Sequence, residues 1–206
     1  MTEAAPLAAT ALLPLVLFPI LDIRSIDATA GSFAHPLIFL FLGGFLLART
    51  MNVWKLDRRL ALTVLRYSGD NPRIIIGALM GVTAFLSMWV SNTATSMVML
   101  PIAMSVAATL SQPGSKKEED PAPAMLLAIA YAATIGGMGT IIGTPPNALF
   151  AAFMADSYGI EISFVRWMMI GVPLSAILLP VTLLFLTKIL FRFDGLSMVD
   201  VDRVIR

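Results

Sequence analysis

A chain of 206 residues with 58% hydrophobic residues, 13% charged residues and a net charge of +1 has too few charges to cover a water-facing globule, which is usually about a quarter charged. The same balance excludes a disordered chain, a coiled coil, a collagen-like chain and a nucleic-acid binder with a basic patch. A net charge near zero predicts no acidic partner, and the absence of cysteine removes disulfides, thiol catalysis and thiolate metal sites, leaving an integral membrane protein that is short for a complete transporter.

In chain order, the first apolar span covers Leu7–Leu21 and gives way to a polar loop, Asp22–Ser32. Glu3 stands where the basic start of a signal peptide would belong, so no leader is expected. A second span occupies residues 35–50, and its Gly43-Gly44 pair offers a close-packing face. Residues 52–67 mix apolar and basic side chains at helical spacing, which reads as an amphipathic helix at the membrane surface. From Ile74 to Ser115 there are 42 residues without Asp, Glu, Lys or Arg. Within this run, 74–110 is expected to form a hairpin that enters and leaves on one side. The polar linker Ser111–Pro123 carries Lys116 and Lys117, and a Gly/Pro-interrupted helix occupies 124–155. A last span at 164–190 precedes a polar end, Phe191–Arg206. The whole reads as one all-α transmembrane region, 1–206, without a soluble domain.

Lys and Arg set the orientation. If the hairpin returns to its own side and the broken helix crosses once, twelve basic residues share one side, among them Arg49, Lys55, Arg59, Arg73, Lys116 and Lys188. Only Arg24 and Arg166 fall opposite. The populated side is expected to be cytoplasmic, in what reads as a bacterial inner membrane.

Two polar interruptions stand out. Ser87 to Ser96 sets Asn92 among hydroxyl side chains in the middle of the uncharged run. Ser, Asn and Thr are favoured N-caps, so a helix starting here would aim its positive end into the bilayer. The alternative is that these residues simply bind neighbouring helices together. The second interruption, Gly136 to Asn147, combines four glycines with Pro145-Pro146. Glycines let backbone carbonyls approach an ion, and the prolines break the helix, with Asn147 expected to cap the short helix after them. Here the alternatives are GxxxG-type packing of Gly139 and Gly143, a simple proline kink, or a dinucleotide loop at Gly137-Met138-Gly139, which lacks the preceding strand and the following acidic residue.

Paired breaks near the midplane are how secondary transporters hold substrate and coupling ion. Neither break contains an acid or a base, so an anionic substrate would rest on helix N-termini, hydroxyls and amides. A cation held by neutral oxygens is better matched by Na⁺ than by a divalent metal. Proton coupling lacks a buried relay, and the lone His35 sits at a span end. An intramembrane enzyme would need a base beside its hydroxyls, and the spans provide none.

Ser91-Asn92-Thr93 followed by Ala94-Thr95 and Met99-Leu100-Pro101-Ile102 resembles the Ser-Asn-Thr hairpin of the divalent anion/sodium symporter family. Tyr131 to Gly137 with Gly143-Thr144-Pro145-Pro146-Asn147 is similar to the same family's broken helix, and the likeness extends over nearly the whole chain. The resemblance implies Na⁺-coupled uptake of a dicarboxylate, citrate or sulfate by an elevator motion, in a homodimer embedded in lipid. It implies that Ser87, Ser91, Asn92 and Gly143 surround one Na⁺. Substrate would face Ser91, Asn92, Thr93 and Thr144. The family builds its site from two inverted repeats, and this sequence holds one hairpin and one broken helix. It therefore matches half of an inverted-repeat transporter, the other half lying in the same longer chain or in a partner chain. A pairing with an inverted copy of itself conflicts with the twelve-to-two charge bias. The competing reading is a structural or assembly subunit, or an inactive truncated fragment, without transport of its own.

Overall fold

The computed structural model describes residues 6–68, 71–110 and 121–191, and every regular element among them is helical. Glu3, most of the linker with Lys116 and Lys117, and Arg192, Arg203 and Arg206 lie outside the described residues. The chain divides into two units, Met1–Gly43 and Gly44–Arg206.

In the first unit, α1 spans Leu7–Ile20 and contains Pro14 and Pro19. Its chain reverses at Asp22, in left-handed geometry with φ 53°. The expected polar loop Asp22–Ser32 is instead largely helical, because α2 runs from Ile26 to Phe33. Ser25 explains the difference: its Oγ accepts from the Ala28 N–H at 3.3 Å, and Asp27 sits in the first turn, where a negative charge favours the helix dipole. Helix α3 covers Pro36–Val53 and passes from this unit into the next. The stretch Ile26–Val53, divided by the α2–α3 junction, is apolar and long enough to cross a membrane by length and composition.

The second unit carries the packed core. Helix α4, Leu56–Tyr67, starts at Lys55, which has φ 51°. It buries Asp57, Ala61 and Leu65 at a spacing of four and leaves Arg58, Arg59 and Arg66 exposed, so its amphipathic pattern is that of the sequence. Helix α5, Pro72–Ser87, is capped by Asn71, whose Oδ1 accepts from the Arg73 N–H at 3.0 Å. Proline at N1 gives up only a donor that the first turn leaves unpaired. After Met88–Ser91 the chain reverses into α6, Asn92–Leu110. Helix α7, Ala122–Gly137, packs against both α5 and α6. The core they share includes Ile75, Leu79, Met80, Leu86, Met99, Val106, Met125 and Ile129.

Helix α7 stops at Gly137, and the chain resumes as α8, Pro145–Tyr158, after an irregular segment. Gly139 and Gly143 lie in that irregular segment rather than on a helix, so they do not form a GxxxG face. Helix α8 ends at Gly159, with φ 65°, the left-handed stop that glycine tolerates without strain. Helix α9, Phe164–Leu184, continues through a π-helical turn, Phe185–Leu190. Together these 27 residues are apolar and long enough to cross a membrane.

Candidate functional site

The site lies where the α5–α6 turn meets the broken end of α7. Ser87, the last residue of α5, is fully buried, and its Oγ lies 2.7 Å from Asn92 Oδ1 and 2.7 Å from the Ala133 carbonyl. A serine hydroxyl has one proton to donate, so it can satisfy only one of these two acceptors at a time. Three neutral oxygens from three helices thus converge with a surplus of lone pairs.

Glycine makes that convergence possible. A Cβ on Gly137 would fall 2.3 Å from Asn92 Oδ1, and one on Gly143 would fall 2.4 Å from the Gly137 carbonyl. The Asn92 amide, Gly137 and Gly143 therefore stack in van der Waals contact that no other residue type permits.

The irregular segment is held by side chains rather than by a ladder. Asn147 is buried and its Nδ2 donates to the Gly137 carbonyl at 2.9 Å and to the Thr140 carbonyl at 2.8 Å. Thr140 donates its hydroxyl to the Met88 carbonyl and accepts the Gly143 N–H at 3.1 Å, joining this segment to the α5–α6 turn. From α9, Ser175 Oγ donates to the Ile135 carbonyl at 2.7 Å and Trp167 Nε1 to the Met138 carbonyl at 2.9 Å. Carbonyls at a helix C-terminus have no partner within the helix, and here Asn147, Ser175 and Trp167 supply donors to those of Gly137, Ile135 and the cap residue Met138.

The helix ends also fix the local potential. The C-termini of α5 and α7 bring their negative ends to the cluster. Helix α6 begins at the same place, with Ser91 as its cap: its Oγ accepts from the Ala94 N–H at 3.4 Å. The first N–H groups of α6 have no earlier carbonyl within the helix and form a positive end beside the oxygens. Carbonyl ends attract a cation and the α6 start attracts an anion, so both can be held without an ionised side chain. Among the described residues no group of three His, Cys, Asp or Glu could hold a metal ion. The oxygen set fits a monovalent cation better than a divalent one.

Of the residues singled out in the sequence, Ser87, Asn92 and Gly143 are brought together at one place. Ser91 stands at the adjoining helix cap with its oxygen already accepting. Thr93 is exposed on the first turn of α6, and Thr144 is half-buried just before α8. Asn147 does not cap α8 as expected. Thr144 holds the cap position because Pro145 can begin the helix, and Asn147 turns inward to the two carbonyls. Ala133, Gly137 and Thr140 also belong to the site. Their glycine-rich surroundings hinted at Gly137, whereas the Ala133 carbonyl left no mark in the side-chain sequence.

A family model described as a citrate transporter matches residues 1–197. The chain is 42% identical over 201 residues to the sodium-dependent dicarboxylate transporter SdcS of Staphylococcus aureus strain USA300, and equally to that of strain NCTC 8325. Those alignments cover 94% of this chain and 38% of each relative, so the chain spans well under half the length of these proteins. The matched proteins are membrane transporters and not enzymes. The extent of the family match, together with the Ser-Asn-Thr turn and the broken helix, places the chain in the citrate transporter family.

Proposed function

We propose that this chain supplies one half of the binding site of an elevator-type, sodium-coupled transporter for divalent anions, with a C4-dicarboxylate as the first-choice substrate and sulfate or citrate as the alternatives. The observation that carries this reading is the convergence of Ser87 Oγ, Asn92 Oδ1 and the Ala133 carbonyl beside Gly137 and Gly143. Na⁺ occupies this oxygen set as a co-transported substrate, with Ser91 completing it. The ion offsets one of the substrate's two negative charges, and the substrate faces Asn92, Thr93, Ser91 and Thr144 at the start of α6 and just before α8. Coupling results, because the anion binds well only beside the bound cation. The sodium-dependent dicarboxylate relatives support this assignment.

The α5–α6 pair acts as a re-entrant hairpin. Helix α5 has 16 residues, about 24 Å at 1.5 Å per residue, which falls short of a hydrocarbon core of roughly 30 Å. Its uncharged, polar tip therefore ends inside the bilayer, where irregular backbone survives by lining a buried site. The basic loops face the cytoplasm and the membrane is the bacterial inner one. A second, inverted repeat, in the same longer chain or in a partner chain, completes the cavity, and the complete transporter is a homodimer.

Asn92→Ala in the full-length transporter tests the assignment. It is expected to abolish Na⁺-dependent succinate uptake while the protein still reaches the membrane. Undiminished uptake would sink the site, and altered assembly with intact transport would favour a structural role.

A further inference from the structure

Six of the helical threonines share one habit. Thr29, Thr50, Thr63, Thr83, Thr134 and Thr187 each donate the side-chain hydroxyl to the carbonyl four residues earlier, at 2.6–3.0 Å. This back-bond is the ordinary way for a threonine to satisfy its hydroxyl inside a helix. Thr95 alone among the buried helical threonines described does not share it. Its backbone N–H bonds the Ser91 carbonyl at 3.0 Å, as helical geometry requires, so that carbonyl lies within the usual reach of the side chain. Yet the Thr95 hydroxyl is the one buried side-chain oxygen among the described residues with no hydrogen-bond partner, and the residue is only 3% exposed.

A buried hydroxyl without a partner is costly, and an available carbonyl left unused makes the arrangement specific rather than incidental. Its place on α6 suggests what the hydroxyl serves. Thr95 lies three residues after Asn92 and four after Ser91, so the three share one face of the first turns of α6. The Asn92 end of that face holds the three converging oxygens, next to α7. Ser87 reaches the same cluster from α5 while being, like Thr95, a fully buried hydroxyl residue.

We propose that Thr95 Oγ1 is a further ligand of the cation held at the hairpin tip, a position that the resemblance assigned to no role. Without the back-bond the side chain is not held in the rotamer that aims it at the Ser91 carbonyl, so its lone pairs can turn to the ion while its proton faces away from the positive charge. This rests on the reading of the Ser87–Asn92 cluster as a sodium site, and it extends that site one helical turn into α6.

The test uses the full-length protein purified in detergent, with melting temperature monitored in sodium chloride against choline chloride. Thr95→Val keeps the shape and removes the hydroxyl. It is expected to melt at or above the wild-type temperature in choline, because an unsatisfied buried group has gone, and to need about tenfold more sodium for its half-maximal shift, the scale of one polar contact. Thr95→Ser retains the hydroxyl and is expected to respond to sodium like the wild type. A Val variant that melts lower in choline yet keeps its sodium response would overturn the proposal and reveal a structural hydrogen bond. A Ser variant without a sodium response would overturn it too, because the methyl rather than the hydroxyl would then matter. Asn92→Ala separates the two layers. If it loses the sodium shift while Thr95→Val keeps it, the cluster stands and the Thr95 ligand falls. If wild type shows no sodium shift, or Asn92→Ala leaves it intact, the sodium site itself fails.

Discussion

Gly136 of α7 presses directly on the backbone of Ala84 in α5, so closely that a Cβ on Gly136 would lie 2.2 Å from the Ala84 carbonyl oxygen. One turn further along α5 is Ser87, and three residues before Gly136 is Ala133, the two ends of the contact that builds the oxygen cluster. The close approach of the two backbones is thus what lets a short side chain such as serine bridge the helices.

Gly136→Ala is therefore expected to force α5 and α7 apart. Backbone cannot swing aside as a flexible side chain can, so the cost should be at least the 1–3 kcal/mol typical of overpacking. Gly81 in the same α5 is the control, since nothing lies within 4 Å of a Cβ placed there. Gly81→Ala should be neutral or stabilising by up to about 1 kcal/mol through helix propensity. Melting temperatures of the two variants in one detergent decide the matter, and equal values would contradict the packing described.

Gly137→Ala should act on function more than on fold. Its Cβ would meet the Asn92 side chain, 2.3 Å from Oδ1, and an amide side chain can rotate where backbone cannot. Asn92 would then leave Ser87, and the sodium dependence of uptake should shift about tenfold or more toward higher sodium, with a smaller loss of melting temperature than Gly136→Ala. A sodium dependence identical to wild type would show that Asn92 Oδ1 takes no part.

Breaks in the helices were readable from local chemistry. Pro145-Pro146 after a glycine-rich run ends α7 and starts α8, and Ser91-Asn92 marks the start of α6 by capping preference alone. Ser25 carries the same type of signal for α2, but the polar run around it reads equally well as a loop, because a capping serine and a turn serine look alike in sequence. The meeting of Ser87 with Ala133, 46 residues apart, depends on helix packing and on a backbone oxygen that carries no side-chain signature. Asn147 shows the same limit: position predicts a cap, whereas proline at N1 and two open carbonyls turn it inward.

Asn147 is open to a test of its two bonds. Asn147→Ala removes both donors and leaves the Gly137 and Thr140 carbonyls buried without partners, at about 1–3 kcal/mol for each orphaned group. Asn147→Asp keeps the shape but points an acceptor at two acceptors, and it should be the more damaging of the two. Limited proteolysis between α7 and α8, with melting in parallel, should rank wild type above Ala and Ala above Asp. If Asp were as stable as wild type, the amide could not be donating as described.

Orientation can be checked with introduced thiols, because these 206 residues contain no cysteine to label in the background, and any cysteine elsewhere in a longer chain or partner is first replaced by serine. Helix α4 exposes Arg58, Arg59 and Arg66, while Glu161 is exposed just before α9 on the side where only Arg24 and Arg166 are expected. Arg59→Cys should react with a membrane-impermeant maleimide only after the inner membrane is opened, and Glu161→Cys should react in intact spheroplasts. Each replaces one exposed charge, a change usually within about 0.5 kcal/mol, so folding is preserved. Labelling of both positions from the same side would mean that the segment 138–144 turns back rather than letting the chain cross. The α7–α8 pair would then be a second hairpin, and the single-crossing topology behind the charge bias would be wrong.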